Sequence, residues 1–143
     1  FNYTNMATVA AVKMSGFLAG ANLGSVTLLT GFVLVVFVVG ILIPQFIPKW
    51  ALFAPVFVPL FMKLGVAPEV VLAAYRVGDS PPNVINPLIP YFALIVTFAQ
   101  RYQKDAGVGT IVAHMLPYAV ILIVVWTLLL VAWYAIGLPF GPR

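Results

Sequence analysis

The sequence predicts an all-α fold, a polytopic membrane protein with broken transmembrane helices and a re-entrant helical hairpin. Three observations carry that expectation. Of the 143 residues, 64% are hydrophobic and 7% charged, with a mean hydropathy of +1.14; a soluble domain is about one quarter charged. So few charges cannot cover a water-facing surface, and the solvent is therefore a bilayer. Prolines interrupt the apolar runs at Pro44 and Pro48, and again at Pro81, Pro82, Pro87 and Pro90. The second interruption, "RVGDSPPNVINPLIP" from Arg76 to Pro90, also sets an arginine, an aspartate and two asparagines inside otherwise lipid-like sequence.

The elements follow in order. Residues 1–24 are moderately apolar; Asn2, Thr4, Asn5 and Thr8 open them and Lys13 interrupts them. Gly16, Gly20 and Gly24 recur every fourth residue, which puts small residues on one helix face for close packing. Over 26–62 a helical hairpin is predicted. Its first arm, Val26 to Ile43, is near the lower limit for spanning, about 17 residues. Its second, Ala51 to Met62, contains Pro55 and Pro59 and is too short to cross alone. Two short arms around the Pro-rich tip "PQFIPKW" read as re-entrant, a backbone tolerated at membrane depth only against protein or a wet cavity. A plain helix pair with its loop in solvent is the alternative, and Gln45 and Lys49 would suit it.

Pro68 and Glu69 start the next helix, proline being accepted in a first turn and glutamate favouring the positive helix end. One straight helix over 68–100 would be about 50 Å long against a hydrocarbon core of about 30 Å. Pro81 disfavours helical geometry at Ser80, so this helix is broken, with a second half starting around Asn83 to Pro87 and running to Gln100. After the polar loop "RYQKDAGVG", the last transmembrane helix lies within 107–137. Pro117 is a candidate kink, and Trp133 and Tyr134 are interfacial anchors. Arg101 and Lys104 favour a cytoplasmic side for the 101–105 loop, a preference that Lys63 and Arg143 oppose.

A broken membrane helix presents free carbonyls at one new end and free N–H groups at the other, a pair of ends suited to cations and anions. An ionisable residue at helix centre costs about 2.5–3.5 kcal/mol on insertion scales, so Arg76 and Asp79 mark a candidate site. Their spacing of three places them within reach on one face, which also fits an ion pair that merely satisfies the break. Asn83 and Asn86 fit two uses, capping the second half-helix or donating to a substrate carboxylate. His114 has no Cys or His partner and reads as hydrogen-bonded helix packing, not a metal ligand. The chain has no cysteine and no Ser–His–Asp, HExxH or phosphate-loop pattern, so neither catalytic residues nor a cofactor are predicted. The basic residues are scattered, which gives nucleic acid no footprint.

The string "AAYRVGDSPPNVINPLIPYFALIVTFAQRYQKDAGVGTIVAHMLPY", the later "WTLLLVAWYAIGLPFGP", and the blocks "FNYTN" and "KWALFAPVFVP" in the same order resemble the C-terminal part of the p-aminobenzoyl-glutamate transporter (AbgT) family. The resemblance covers essentially the whole chain. It implies half of an inverted-repeat transporter, with 1–24 as the end of a broken helix, from a longer protein whose portion here starts abruptly at Phe1. It further implies a bacterial inner-membrane location, a homodimer, surrounding lipid, and ion-coupled movement (sodium or proton) of p-aminobenzoyl-glutamate or sulfonamides. On matching positions it assigns Trp50 and Pro68 to the hairpin's returning arm, Arg76, Asp79 and Pro87 to the broken-helix motif, and Asn5 to an earlier broken helix. The substrate-binding set expected is thus Arg76, Asp79, Asn83, Asn86, Pro87, Asn5 and Trp50. One departure stands out: the family's hairpin tip carries a serine-rich stretch before the Trp, whereas here the tip reads "IPQFIPKW". A structural or assembly subunit, its polar break packed on another chain, is the alternative function.

Overall fold

The computed structural model describes residues 24–141, and every regular element in them is helical. In order these are α1 (Ser25–Leu42), α2 (Phe46–Lys63), α3 (Pro68–Asp79), a 3-10 turn (Pro81–Val84), α4 (Phe92–Ala99) and α5 (Val108–Ile136). The expectations for Thr4, Asn5, Lys13, Gly16 and Gly20 lie outside the described residues.

The hairpin consists of α1 and α2 joined through Ile43–Gln45. Its second arm is longer than the apolar run predicted: α2 has 18 residues and starts at Phe46. Pro48 does not stop it, because in the first turn no intrahelical N–H bond is needed. As a result α1, α2 and α5 are each long and apolar enough to cross a membrane. Along α2 the buried residues are Lys49, Phe53, Phe57 and Phe61, four apart and so on one helical face. Phe32 of α1 fits between them, its ring centroid 6.2, 4.6 and 5.5 Å from those of Phe53, Phe57 and Phe61. These separations lie in the range where aromatic pairs attract.

A tight turn then reverses the chain. Gly65 takes φ +77°, Val66 N–H donates to Phe61 O at 2.9 Å, and Gly65 N–H donates to Met62 O at 3.0 Å. This is the left-handed helix ending that glycine adopts without a Cβ penalty. It sends α3 back alongside α1. A Cβ on Gly78 would lie 2.5 Å from Val33 O and 2.8 Å from Val36 Cβ, so the two backbones are in contact there. Tyr75, fully buried, fixes α3 to α2: its ring lies 5.3 Å from that of Phe46 and 4.8 Å from that of Trp50. Its hydroxyl donates to Phe46 O at 3.2 Å.

The break in the 68–100 helix is present where predicted, after Asp79, but the second half starts later than predicted. Ser80 keeps helical backbone angles, φ −77° and ψ −44°. The chain then tightens into the 3-10 turn, held by Asn83 N–H to Ser80 O at 3.2 Å and Ile85 N–H to Pro82 O at 3.1 Å. Pro81 and Pro82 suit its first positions, where a missing N–H costs nothing. Pro87 and Pro90, each without a donor, lie in the segment that follows, and the second half begins only at Phe92, although α2 runs on through Pro55 and Pro59. The 29 residues of α5 pack on α3 and the 3-10 turn. The helix ends at Gly137, φ +76°, and the chain folds back so that Trp133 Nε1 donates to Pro139 O at 3.3 Å.

Three outcomes are expected in the thermal unfolding of the purified full-length protein. Gly78→Ala forces α1 and α3 apart and should cost about 1–3 kcal/mol, the usual range for overpacking; Gly109→Ala, with nothing within 4 Å of the added carbon, should not destabilise. Gly65→Ala should cost about 1 kcal/mol through its positive φ alone.

Candidate functional site

Where the hairpin tip meets the end of α3, two opposite charges lie out of water. Lys49 is 1% exposed and Asp79 3% exposed, and Lys49 Nζ pairs with Asp79 Oδ1. Each charge sits at the end of its own helix that disfavours it, the lysine in the first turn of α2 and the aspartate in the last turn of α3. Between helices the sense reverses. A Cβ on Gly40 would lie 3.4 Å from Lys49 Nζ and 2.8 Å from Pro82 Cγ, so the ammonium rests against the last turn of α1. It thus lies where the C-terminal, partially negative ends of α1 and α3 converge. Gly40 is what lets Pro82 approach; a side chain there would push the Pro82 ring away.

The asparagines of the break complete this joint. Asn83 Nδ2 donates to Asp79 O at 3.1 Å. Asn86 is fully buried; its Nδ2 donates to Gly40 O at 3.0 Å and Ile41 O at 3.1 Å, and its Oδ1 accepts from Leu88 N–H at 2.9 Å. One amide thereby satisfies two carbonyls that the end of α1 leaves without helical donors and binds the break to the hairpin.

The predicted set is redistributed by this geometry. Arg76 and Asp79 do not pair; among the described residues Asp79 pairs with Lys49 instead. The buried ammonium is the costlier charge to leave alone, whereas Arg76 is exposed and stacks its guanidinium 3.9 Å above the Phe46 ring. Asn83 and Asn86 do not cap α4, which has no side-chain cap; they serve the C-terminal ends of α3 and α1. The N–H groups of Asn83, Ile85 and Leu88 are spent on internal bonds and do not wait for an anion. Trp50 is half-buried against Tyr75, and Pro87 is exposed in the turn. Asn5 lies outside the described residues. His114 is exposed, its Nδ1 2.7 Å from Thr110 O, a local helix contact as expected.

Lys49 is the residue that sequence reasoning missed, because it also fits a loop in solvent. A signal was present. Lys49 continues the spacing of Phe53, Phe57 and Phe61, which puts it on the apolar face of its helix. Of the three acids, Glu69 starts a helix and Asp105 lies in the polar loop, which leaves Asp79 as its partner.

With this geometry in view, similarity to known proteins can be set beside it. The whole chain, residues 1–143, matches the family described as "AbgT putative transporter family". It is 37% identical over 142 residues to the p-aminobenzoyl-glutamate transport protein of Escherichia coli (strain K12), a match covering 99% of this chain and 28% of that protein. Among solved structures, the YdaH transporter of Alcanivorax borkumensis superposes with a TM-score of 0.85 at 44% identity, over 99% of this chain and 30% of that one. MtrF of Neisseria gonorrhoeae, described within a class of antimetabolite efflux pumps, superposes with a TM-score of 0.76 at 43% identity, over 93% of this chain and 26% of that one. The chain therefore spans less than a third of the length of each of these relatives. By family match, identity and superposition alike, this chain belongs to the AbgT transporter family and is part of a multi-pass inner-membrane protein.

Proposed function

We propose that the protein to which this chain belongs is a secondary transporter, working as a homodimer and coupled to a sodium or proton gradient. Its cargo in this reading is p-aminobenzoyl-glutamate or a related aromatic compound such as a sulfonamide. The observation that carries the reading is the buried Lys49–Asp79 pair at a joint between a hairpin tip and a broken helix. Charge buried in a membrane segment is costly and marks substrate and ion pathways. The names of the relatives, one for p-aminobenzoyl-glutamate transport and one for antimetabolite efflux, support the substrate class.

Within this reading Arg76 receives the cargo. Its guanidinium is exposed and lies over the Phe46 ring, which, like half-buried Trp50, packs on the buried Tyr75. Such a surface offers fork-shaped donors to a carboxylate and apolar rings to an aromatic group. Asp79 is the proton or sodium partner, and the hairpin tip gates one side.

Arg76→Ala in the full-length protein should cut uptake of labelled p-aminobenzoyl-glutamate into proteoliposomes by at least about tenfold, the loss of one charge-assisted hydrogen bond. Its unfolding temperature should stay at the wild-type value, because the side chain is exposed. Wild-type transport by this variant would refute the role. Collapsing the sodium or the proton gradient with a selective ionophore should abolish accumulation in one of the two cases; accumulation that survives both would rule out secondary transport.

A further inference from the structure

Among the described residues, neither Lys49 Nζ nor Asp79 Oδ1 has any hydrogen-bond partner besides the other, and Asn83 Oδ1, in the same turn, is a buried acceptor with no donor. The site thus holds one positive and one negative charge, each with bonding capacity to spare, and one acceptor in need of a proton donor. Resting on the transport reading above, we infer that Lys49 is a carboxylate-exchange residue. A carboxylate of the cargo replaces Asp79 as the partner of Lys49, and Asp79 takes up a proton from water in the same event.

The charge balance requires that proton. Before exchange the site holds an ammonium and a carboxylate, net zero. If the cargo's carboxylate entered alone, one negative charge would remain buried and uncompensated, which the interior penalises heavily. A proton on Asp79 restores neutrality. The new bond is one O–H, the proton comes from the aqueous phase, and no other bond changes. Protonated Asp79 is also a donor, which the orphan oxygen of Asn83 lacks. Exchange undoes the one ionic tie between the hairpin tip and the broken helix, so binding and movement of the tip become linked.

No other titratable group of the described residues competes for this role. From α1 there is none. On α3 itself the Tyr75 hydroxyl is committed to Phe46 O, Arg76 points over Phe46, and Glu69 lies at the far end beside Tyr134. On α5, which packs against the break, His114 and Tyr118 are exposed. Lys49 is the direct binding partner of each carboxylate in turn.

The test is calorimetry on the wild-type full-length protein at neutral pH, in buffers of different ionisation enthalpy, with p-aminobenzoyl-glutamate and with glutarate as probes. The expected result is binding with uptake of about one proton per molecule, the linkage signature of a group whose protonation changes on binding. Asp79→Asn should keep binding and lose the uptake, and Lys49→Gln, which removes the ammonium, should lose binding of both probes. Binding of either probe without proton uptake overturns the exchange, as does wild-type uptake in Asp79→Asn. Glutarate binding with a proton while p-aminobenzoyl-glutamate does not bind retains the exchange and removes the proposed substrate. No binding of either overturns both.

Discussion

Taking an ammonium and a carboxylate out of water costs several kcal/mol per ion, against a net stability of about 5–15 kcal/mol for a typical domain. The Lys49–Asp79 pair can therefore exist only where the surrounding chain holds the two groups in contact. Much of the local architecture is that holding. Gly40 leaves room for Pro82 to pack on the last turn of α1, beside the ammonium. Gly78 brings the end of α3 against Val33 and Val36 of α1, and the 3-10 turn that follows reaches the last turn of α1 at Gly40. Tyr75 anchors α3 to the start of α2 through rings and one hydrogen bond. Asn86 fastens the break to the end of α1.

Prolines divide their labour by position. Pro48 and Pro68 lie in first turns, where a missing N–H is harmless, and their helices proceed. Pro81 and Pro82 start the 3-10 turn, a tighter continuation of α3 that carries Asn83 around to the carbonyl of Asp79. Pro87 and Pro90 delay the second half-helix to Phe92. The broken span thus has an internally bonded elbow instead of two open helix ends. The groups at this joint that keep spare bonding capacity are therefore side chains.

Two cations near the break play different parts. Arg76 is exposed and rests on an aromatic face, accessible to an incoming group. Lys49 is enclosed and already paired. A planar, weakly hydrated guanidinium suits an outer receiving position, whereas a compact ammonium suits a small enclosed one. In the proposed exchange, an outer cation followed by an inner one whose partner is replaced would lead an anion inward without leaving a buried charge unbalanced.

Composition and hydropathy by themselves determined that the chain is helical and membrane-embedded, because these are sums over residues and need no knowledge of contacts. Proline and glycine positions likewise determined that the chain turns near residue 44, restarts at Pro68 and breaks after Asp79, since those effects act within a few residues. The long family-like string around Arg76 and Asp79 was equally readable in one dimension. What only the tertiary structure decided is which charges meet. Arg76 and Asp79 are three residues apart and looked like partners; Lys49 and Asp79 are separated by most of two helices and the turn between them, and they pair because folding encloses the ammonium, and an enclosed ammonium must have an anion. Sequence spacing describes reach along one helix. Burial, which sets the cost of a lone charge, exists only once the helices have packed.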